Sequence, residues 1–236
     1  MKFEAKSSYA KLIVYIDFKS PYAYIATQPC FELEQKLSMQ FDWRPLTLDI
    51  PSFLGSAKLD KKGKVSKSNR SAGQWVWVKY AYKDARRYAA LNNLTLRGTE
   101  KIWDSSLASI GLMWAKTQPH QVLTNYIKLV YEPFWRRDLD IENARIIEGK
   151  LAQAGAETQG FMNYLYGQGR ADHDQCQNDI FTAGIFGVPS FVIEDEIFFG
   201  REHLPRIEWI LRGRKGIAPD IAYQSITTNH QGVADD

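Results

Sequence analysis

Cysteine is nearly absent from this 236-residue chain: only Cys30 and Cys176 occur, and no Cys-x-x-Cys spacing exists. A structural disulfide and a cysteine-based metal site are both poor expectations, and two free buried thiols are the simpler one. Long hydrophobic runs are missing too. No stretch approaches the roughly 18–20 apolar residues that a membrane span needs. Met1-Lys2-Phe3-Glu4-Ala5-Lys6 has no long apolar region behind its charges, so no secretory signal is expected and the expected location is cytoplasmic. Neither sign of charge dominates: 30 Lys and Arg mix with 27 Asp and Glu for a net +3. That leaves a slight bias toward anionic partners and no nucleic-acid signature. Internal repeats are also lacking. What remains is an ordinary composition, 44% apolar and 24% charged, in a chain long enough to bury a substantial core.

The first fifty residues read as strand, helix, strand. Leu12-Ile13-Val14-Tyr15-Ile16 is a continuous apolar run, as a strand covered on both faces requires. Ser20-Pro21 follows, Ser being a favoured N-cap and Pro fitting the first helical turn. The positive end of the helix then faces whatever binds beside Ser20, which favours an anion. Ala26, Cys30, Leu33 and Leu37 form one core-facing stripe, with Pro29 expected to kink the helix. Met39, Phe41 and Trp43 alternate with polar residues up to Pro45, the period of a half-buried strand. Such a crossover implies parallel neighbours.

Residues 51–169 read as an all-helical insertion rich in aromatics, among them Trp75, Trp77, Tyr80, Tyr82, Trp103, Trp114 and Trp135. The lysine-rich segment Lys58–Lys67 before them reads as a mobile surface loop. Asp84 and Arg87 have the spacing of a helical ion pair. Further on, Asp172 or Asp174 is expected to cap a helix running to Gly184. Asp172-His173-Asp174 with Cys176 looks superficially like a metal site, but acidic capping explains it better and no metal is expected. Gly187-Val188-Pro189 leads into a hairpin of Ser190–Ile193 and Glu196–Phe199, then a closing helix marked by Leu204, Ile207, Ile210 and Leu211. Residues 216–236 read as a polar tail.

Asp17-Phe18-Lys19-Ser20-Pro21-Tyr22-Ala23-Tyr24 resembles the opening motif of 2-hydroxychromene-2-carboxylate isomerases and kappa-class glutathione transferases. Gly184-Ile185-Phe186-Gly187-Val188-Pro189-Ser190-Phe191-Val192 resembles their second motif, and Phe199-Gly200-Arg201-Glu202-His203-Leu204 a third. Lys79–Arg87 and Tyr131–Ile141 fit helical segments of the same group. The resemblance runs from about residue 12 to residue 211. It implies an α/β fold, a thioredoxin fold of residues 1–50 and 170–215 interrupted by the helical insertion. In the redox relatives Ser20 and Ala23 would be the two cysteines, so dithiol chemistry is not expected here.

By resemblance, the cofactor is glutathione and the substrate a small unsaturated acid derived from an aromatic compound, isomerised while glutathione is regenerated. Ser20 would stabilise the glutathione thiolate, and a cis Pro189 would face it. Val188 would pair with the cysteinyl backbone, while Lys79, Gly200, Arg201, Glu202 and His203 would hold the two ends of the tripeptide. Arg44 and Tyr80 would bind the organic acid. Two departures stand out: Arg201-Glu202-His203 replaces the group's polar-Asp-Arg segment, and Lys58–Asn69 replaces a Gly-Asn-x-Pro-Pro-like loop. A kappa-like transferase or peroxidase, and a non-enzymatic peptide- or partner-binding module, are the alternatives. The resemblance also allows a homodimer; nucleic acid and membrane are not expected partners.

Overall fold

The computed structural model describes residues 12–220. The expectations for Met1–Lys6 and for the part of the tail from 221 onward lie outside the described residues. The continuous apolar run becomes β1 (Leu12–Ile16), buried at every position because it lies inside a four-stranded sheet. β1 pairs in parallel with β2 (Asp42–Pro45) and antiparallel with β5 (Ser190–Ile193), which pairs antiparallel with the edge strand β6 (Glu196–Phe199). The order is β2-β1-β5-β6. Val14 sits opposite both Trp43 and Phe191, which fixes the register by a buried apolar row. The β5–β6 turn uses Glu194 at φ +55°, a left-handed conformation supplied without glycine.

The crossover between β1 and β2 is α1 (Pro21–Leu37), with Pro29 inside it and Ser38 ending it at φ 51°. Ala26, Cys30 and Leu33 are buried as the stripe requires. Tyr24 is buried as well, because α1 is covered on a second side by α5 (His120–Arg136). There Tyr24 stacks on Tyr131 at 5.3 Å and on Trp135 at 6.2 Å. Between β2 and α5 the chain forms α2 (Ile50–Leu54), β3 (Ala57–Leu59), β4 (Val65–Ser68), α3 (Ala72–Leu91) and α4 (Ser106–Ala115). After α5 come α6 (Ala144–Ala154), α7 (Phe161–Tyr166) and α8 (Gln168–Thr182), and a 3₁₀ turn Arg201–His203 leads into α9 (Leu204–Leu211). α3 opens with a capping box, Ser71 and Gln74 each bonding the other's backbone N–H. α4 and α5 pack closely at Gly111, whose missing side chain makes room for the Tyr126 ring.

Three sequence expectations are corrected. The segment 51–169 is not all-helical, because Lys58–Lys67 folds into the antiparallel β3–β4 hairpin in which Lys58 lies opposite Lys67. Its turn is held by the Asp60 carboxylate accepting the backbone N–H groups of Lys62 and Lys64. α8 begins at Gln168, so Asp172 and Asp174 lie within it and cap nothing. The alternating run from Met39 becomes a strand only from Asp42. Asp84 and Arg87 do form their i,i+3 ion pair, at 2.9 Å.

Candidate functional site

Ser20 sits at the junction of β1 and α1. Its Oγ accepts the Ala23 N–H at 3.2 Å, its carbonyl accepts the Tyr24 N–H at 3.1 Å, and its hydroxyl donates to the Val188 carbonyl at 3.4 Å. Pro21 has no N–H to place, so the Tyr22 N–H is the first-turn donor still without an acceptor among the described residues. The Val188–Pro189 peptide bond is cis. Pro189 accepts the Gly200 N–H at 2.9 Å, which ties the segment leading into β5 to the start of the Arg201–His203 turn.

Asp17 holds this turn in place. Its fully buried carboxylate accepts the Lys19 N–H at 3.1 Å, the Ser105 hydroxyl at 2.6 Å and the Leu48 N–H at 2.8 Å. Its backbone carbonyl accepts the Ser20 N–H and the Tyr131 hydroxyl, each at 2.9 Å. The Lys19 ammonium lies 3.5 Å from the same carboxylate.

A cavity of about 640 Å³ opens beside Ser20. Trp75, Trp77, Tyr82, Trp103 and Phe199 supply aromatic walls, and Lys19, Lys79, Arg70, Arg86, Lys101 and Arg137 bring cationic side chains against one acid, Glu100. Part of that charge is spent internally: Lys101 pairs with Glu142, and Arg137 lies 3.8 Å from Glu100. Tyr22 lines the cavity and donates to Asp84 at 3.1 Å. Burial, then that hydrogen bond, raises the Tyr22 phenol above its ordinary value. The lining suits an anionic, flat, partly aromatic ligand.

Of the residues singled out from the sequence, Ser20, Lys79 and Val188 meet at this cavity. The other residues given a binding role from the sequence do not line it. Arg44 was expected to bind the organic acid; instead its guanidinium grips Asp42, with Nη2 at 2.6 Å and Nε at 2.9 Å. Lys116 completes that cluster from α4. Burial pushes the Asp42 carboxyl up, yet Lys116 and Arg44 outweigh it and hold the group below the usual carboxylate range. Tyr80 is half exposed on another face of α3, and Tyr82 lines the wall in its place. Arg201 stacks over Tyr88 at 4.0 Å, the Glu202 carboxylate folds against Gly200, and His203 packs on Phe198 at 5.5 Å. None of these three borders the cavity.

Asp17, Lys19, Tyr22, Trp75, Tyr82 and Arg86 were not assigned roles from the sequence. A usable signal existed for three of them: Trp75, Lys79, Tyr82 and Arg86 recur at steps of 4, 3 and 4, one helical face of α3. Neither thiol is poised for redox work. Burial pushes Cys30 well up and Cys176 up as well, the latter against the pull of Arg44 and Lys116. His173 is buried, bonded to Thr47 at 2.9 Å and Asp174 at 3.0 Å. Among the described residues no group of three or more His, Cys, Asp or Glu is placed to hold a metal. None of the described helices is long and apolar enough to cross a membrane.

The chain is 24% identical over 197 residues to the 2-hydroxychromene-2-carboxylate isomerase of Sphingobium xenophagum, an alignment spanning 82% of this chain and 94% of the relative. A solved structure of 2-hydroxychromene-2-carboxylate isomerase superposes with a TM-score of 0.63 at 21% identity, covering 91% of this chain and 97% of that one. The cytosolic disulfide reductase DsbM from Pseudomonas aeruginosa, solved with GSH, superposes at 0.52 with 15% identity, covering 79% and 87%. These superpositions establish the fold. A profile of the DSBA-like thioredoxin domain matches residues 11–212, and the chain belongs to that family.

Proposed function

We propose that this protein is a glutathione-dependent isomerase of a small unsaturated acid derived from an aromatic compound. The observation that carries the reading is the Ser20 hydroxyl, at the N-terminus of α1 and 3.4 Å from the Val188 carbonyl, at the wall of an aromatic and cationic cavity. Relatives named as isomerases at 24% identity support the reaction class. A neighbour solved with GSH supports the cofactor.

The donor set suits a thiol tripeptide. A small turn of the Ser20 hydroxyl away from Val188 aims its hydrogen into the cavity. The Tyr22 N–H and the helix end add positive potential at the same spot. Bound glutathione would supply a thiolate that adds reversibly to an unsaturated acid and leaves unchanged once the adduct has rotated or ring-opened. Ser20 lowers the thiol pKa rather than attacking substrate itself, since a serine hydroxyl is a weak nucleophile without a neighbouring base. Lys79 and Arg86 would face the acidic ends of the ligands, and Trp75, Tyr82 and Trp103 would hold a flat organic body and keep water out. Tyr22, kept protonated by its environment and already donating to Asp84, is a poor base at neutral pH and offers a ligand only its oxygen lone pair.

A titration with reduced glutathione tests this, following the ultraviolet thiolate band in the wild type and in Ser20→Ala. The wild type should bind saturably with a thiol pKa lowered by about one to two units, for a charge-assisted hydrogen bond of roughly 1.5–3 kcal/mol. Ser20→Ala should bind glutathione with most of that depression lost. An equal thiol pKa in both proteins would remove Ser20 from the chemistry. Net consumption of glutathione during turnover would replace the isomerase with a transferase.

A further inference from the structure

A second cavity, of about 670 Å³, lies beneath the β3–β4 hairpin. We propose that it is an oxyanion subsite, in which Lys19 at the floor and Lys58 and Lys67 at the rim hold one carboxylate or phosphate group of a ligand. The Lys19 side chain is only 7% exposed. An ammonium has three N–H donors, and two are accounted for, by the Ser105 hydroxyl at 3.2 Å and Asp17 at 3.5 Å. The third has no described acceptor, although Lys19 borders this cavity. A buried charged donor left unsatisfied is costly, and an entering oxyanion would satisfy it. Asp17 cannot serve further, since it already accepts from Lys19, Ser105 and Leu48.

The hairpin supplies an independent observation. Lys58 and Lys67 face each other directly across β3 and β4, and both border the cavity. Like charges at a cross-strand pair are destabilising unless something negative lies between or beside them. No described carboxylate pairs with either lysine. Ser56 and Ser68 add hydroxyl donors at the same rim. Two acids are also present, Asp49 and Asp104, each already accepting a helix-starting N–H, from Ser52 and Ser106. Both border the same cavity. Burial pushes the Asp104 carboxyl up, yet hydrogen bonds from Ser106 and the Lys19 charge hold it below its ordinary range, so the two acids oppose a second acid group on the ligand.

Lys19, Leu48, Ala57, Ile102 and Trp103 border both cavities. A ligand with its acid under the hairpin can therefore extend its body toward Ser20. That connection rests on the function proposed above, whereas anion binding under the hairpin does not.

Calorimetric titration at low ionic strength with benzoate and with inorganic phosphate tests the subsite. Either probe should bind saturably, and more weakly as salt is raised. The tighter probe identifies the group as carboxylate or phosphate. Lys58→Gln/Lys67→Gln should weaken binding about tenfold, and Lys19→Met should abolish it. Lys19→Met also removes a partner of the buried Asp17, so its loss of binding is read only if it folds; the double variant changes only exposed hairpin side chains and carries the test by itself. Failure of both probes to bind saturably, or equal affinity in wild type and double variant, overturns the proposal. Glutathione titrated into the same proteins reports on Ser20 separately. Anion binding without glutathione binding would refute the Ser20 reading alone.

Discussion

Replacing Arg44 with methionine separates two roles for that residue, substrate binder and structural cation. Its contacts favour the second. The guanidinium makes two hydrogen bonds to Asp42, at 2.9 and 2.6 Å, and one to the Tyr15 hydroxyl. Methionine preserves most of the stem's packing but leaves Asp42, 7% exposed, with Lys116 alone, and Tyr15 without that bond. Charge-assisted hydrogen bonds contribute roughly 1.5–3 kcal/mol and breaking a buried pair roughly 3–5. Because Lys116 and partial exposure soften the loss, the expected destabilisation is about 2–4 kcal/mol. In a domain of this size that lowers the unfolding temperature by about 5–12 °C. The sign with pH is definite. Asp42 titrates below its unfolded value, so its stabilisation is present above about pH 4 and lost as pH falls through the depressed folded value. The gap between wild type and variant should therefore narrow in acid. Urea unfolding at pH 7 and at pH 3, with ligand titration at pH 7, measures all of this. A variant as stable as wild type that had lost affinity for organic acids would refute the reasoning and return Arg44 to the substrate.

Gly111→Ala should destabilise by about 1–3 kcal/mol, read from the urea midpoint, because the new methyl overlaps the buried Tyr126 ring and Ile147. His173 should give a pH slope. Burial pushes its imidazole down against the Asp174 carboxylate, so the unfolded chain takes up its proton first. Its share of stability is complete above about pH 6.5 and is lost as pH falls through the lower folded value. His173→Gln should flatten that slope, and an unchanged slope would place the titrating group elsewhere.

The elements that could be read from the sequence are those whose burial leaves a pattern. β1 is apolar at all five positions because it is covered on both faces, and the Ser20 cap follows it directly. The β3–β4 hairpin leaves no such pattern. Every residue of β4 is exposed, and the pair is held by backbone hydrogen bonds and the Asp60 turn rather than by a hydrophobic face. The Arg44–Asp42 pair was not legible, because residue type alone cannot reveal that the carboxylate two positions earlier claims the guanidinium. Helical phase separates Tyr80 from the cavity: Lys79 borders it, and Tyr82, three residues on, shares that face. Lys19 stood within the recognised motif, but its burial is created by Asp17 and Ser105, the latter 86 residues away.

The convergence on Asp17 sets the order in which the protein can become competent. Leu48, Ser105 and Tyr131 reach this one residue from 31, 88 and 114 positions down the chain. Contacts of such high sequence separation form only after the entropy of closing long loops has been met. On the ribosome, the turn carrying Ser20 is made early but cannot be locked until α5 has emerged. Nascent chains ending before Tyr131 would contain the motif and lack the scaffold that orients it.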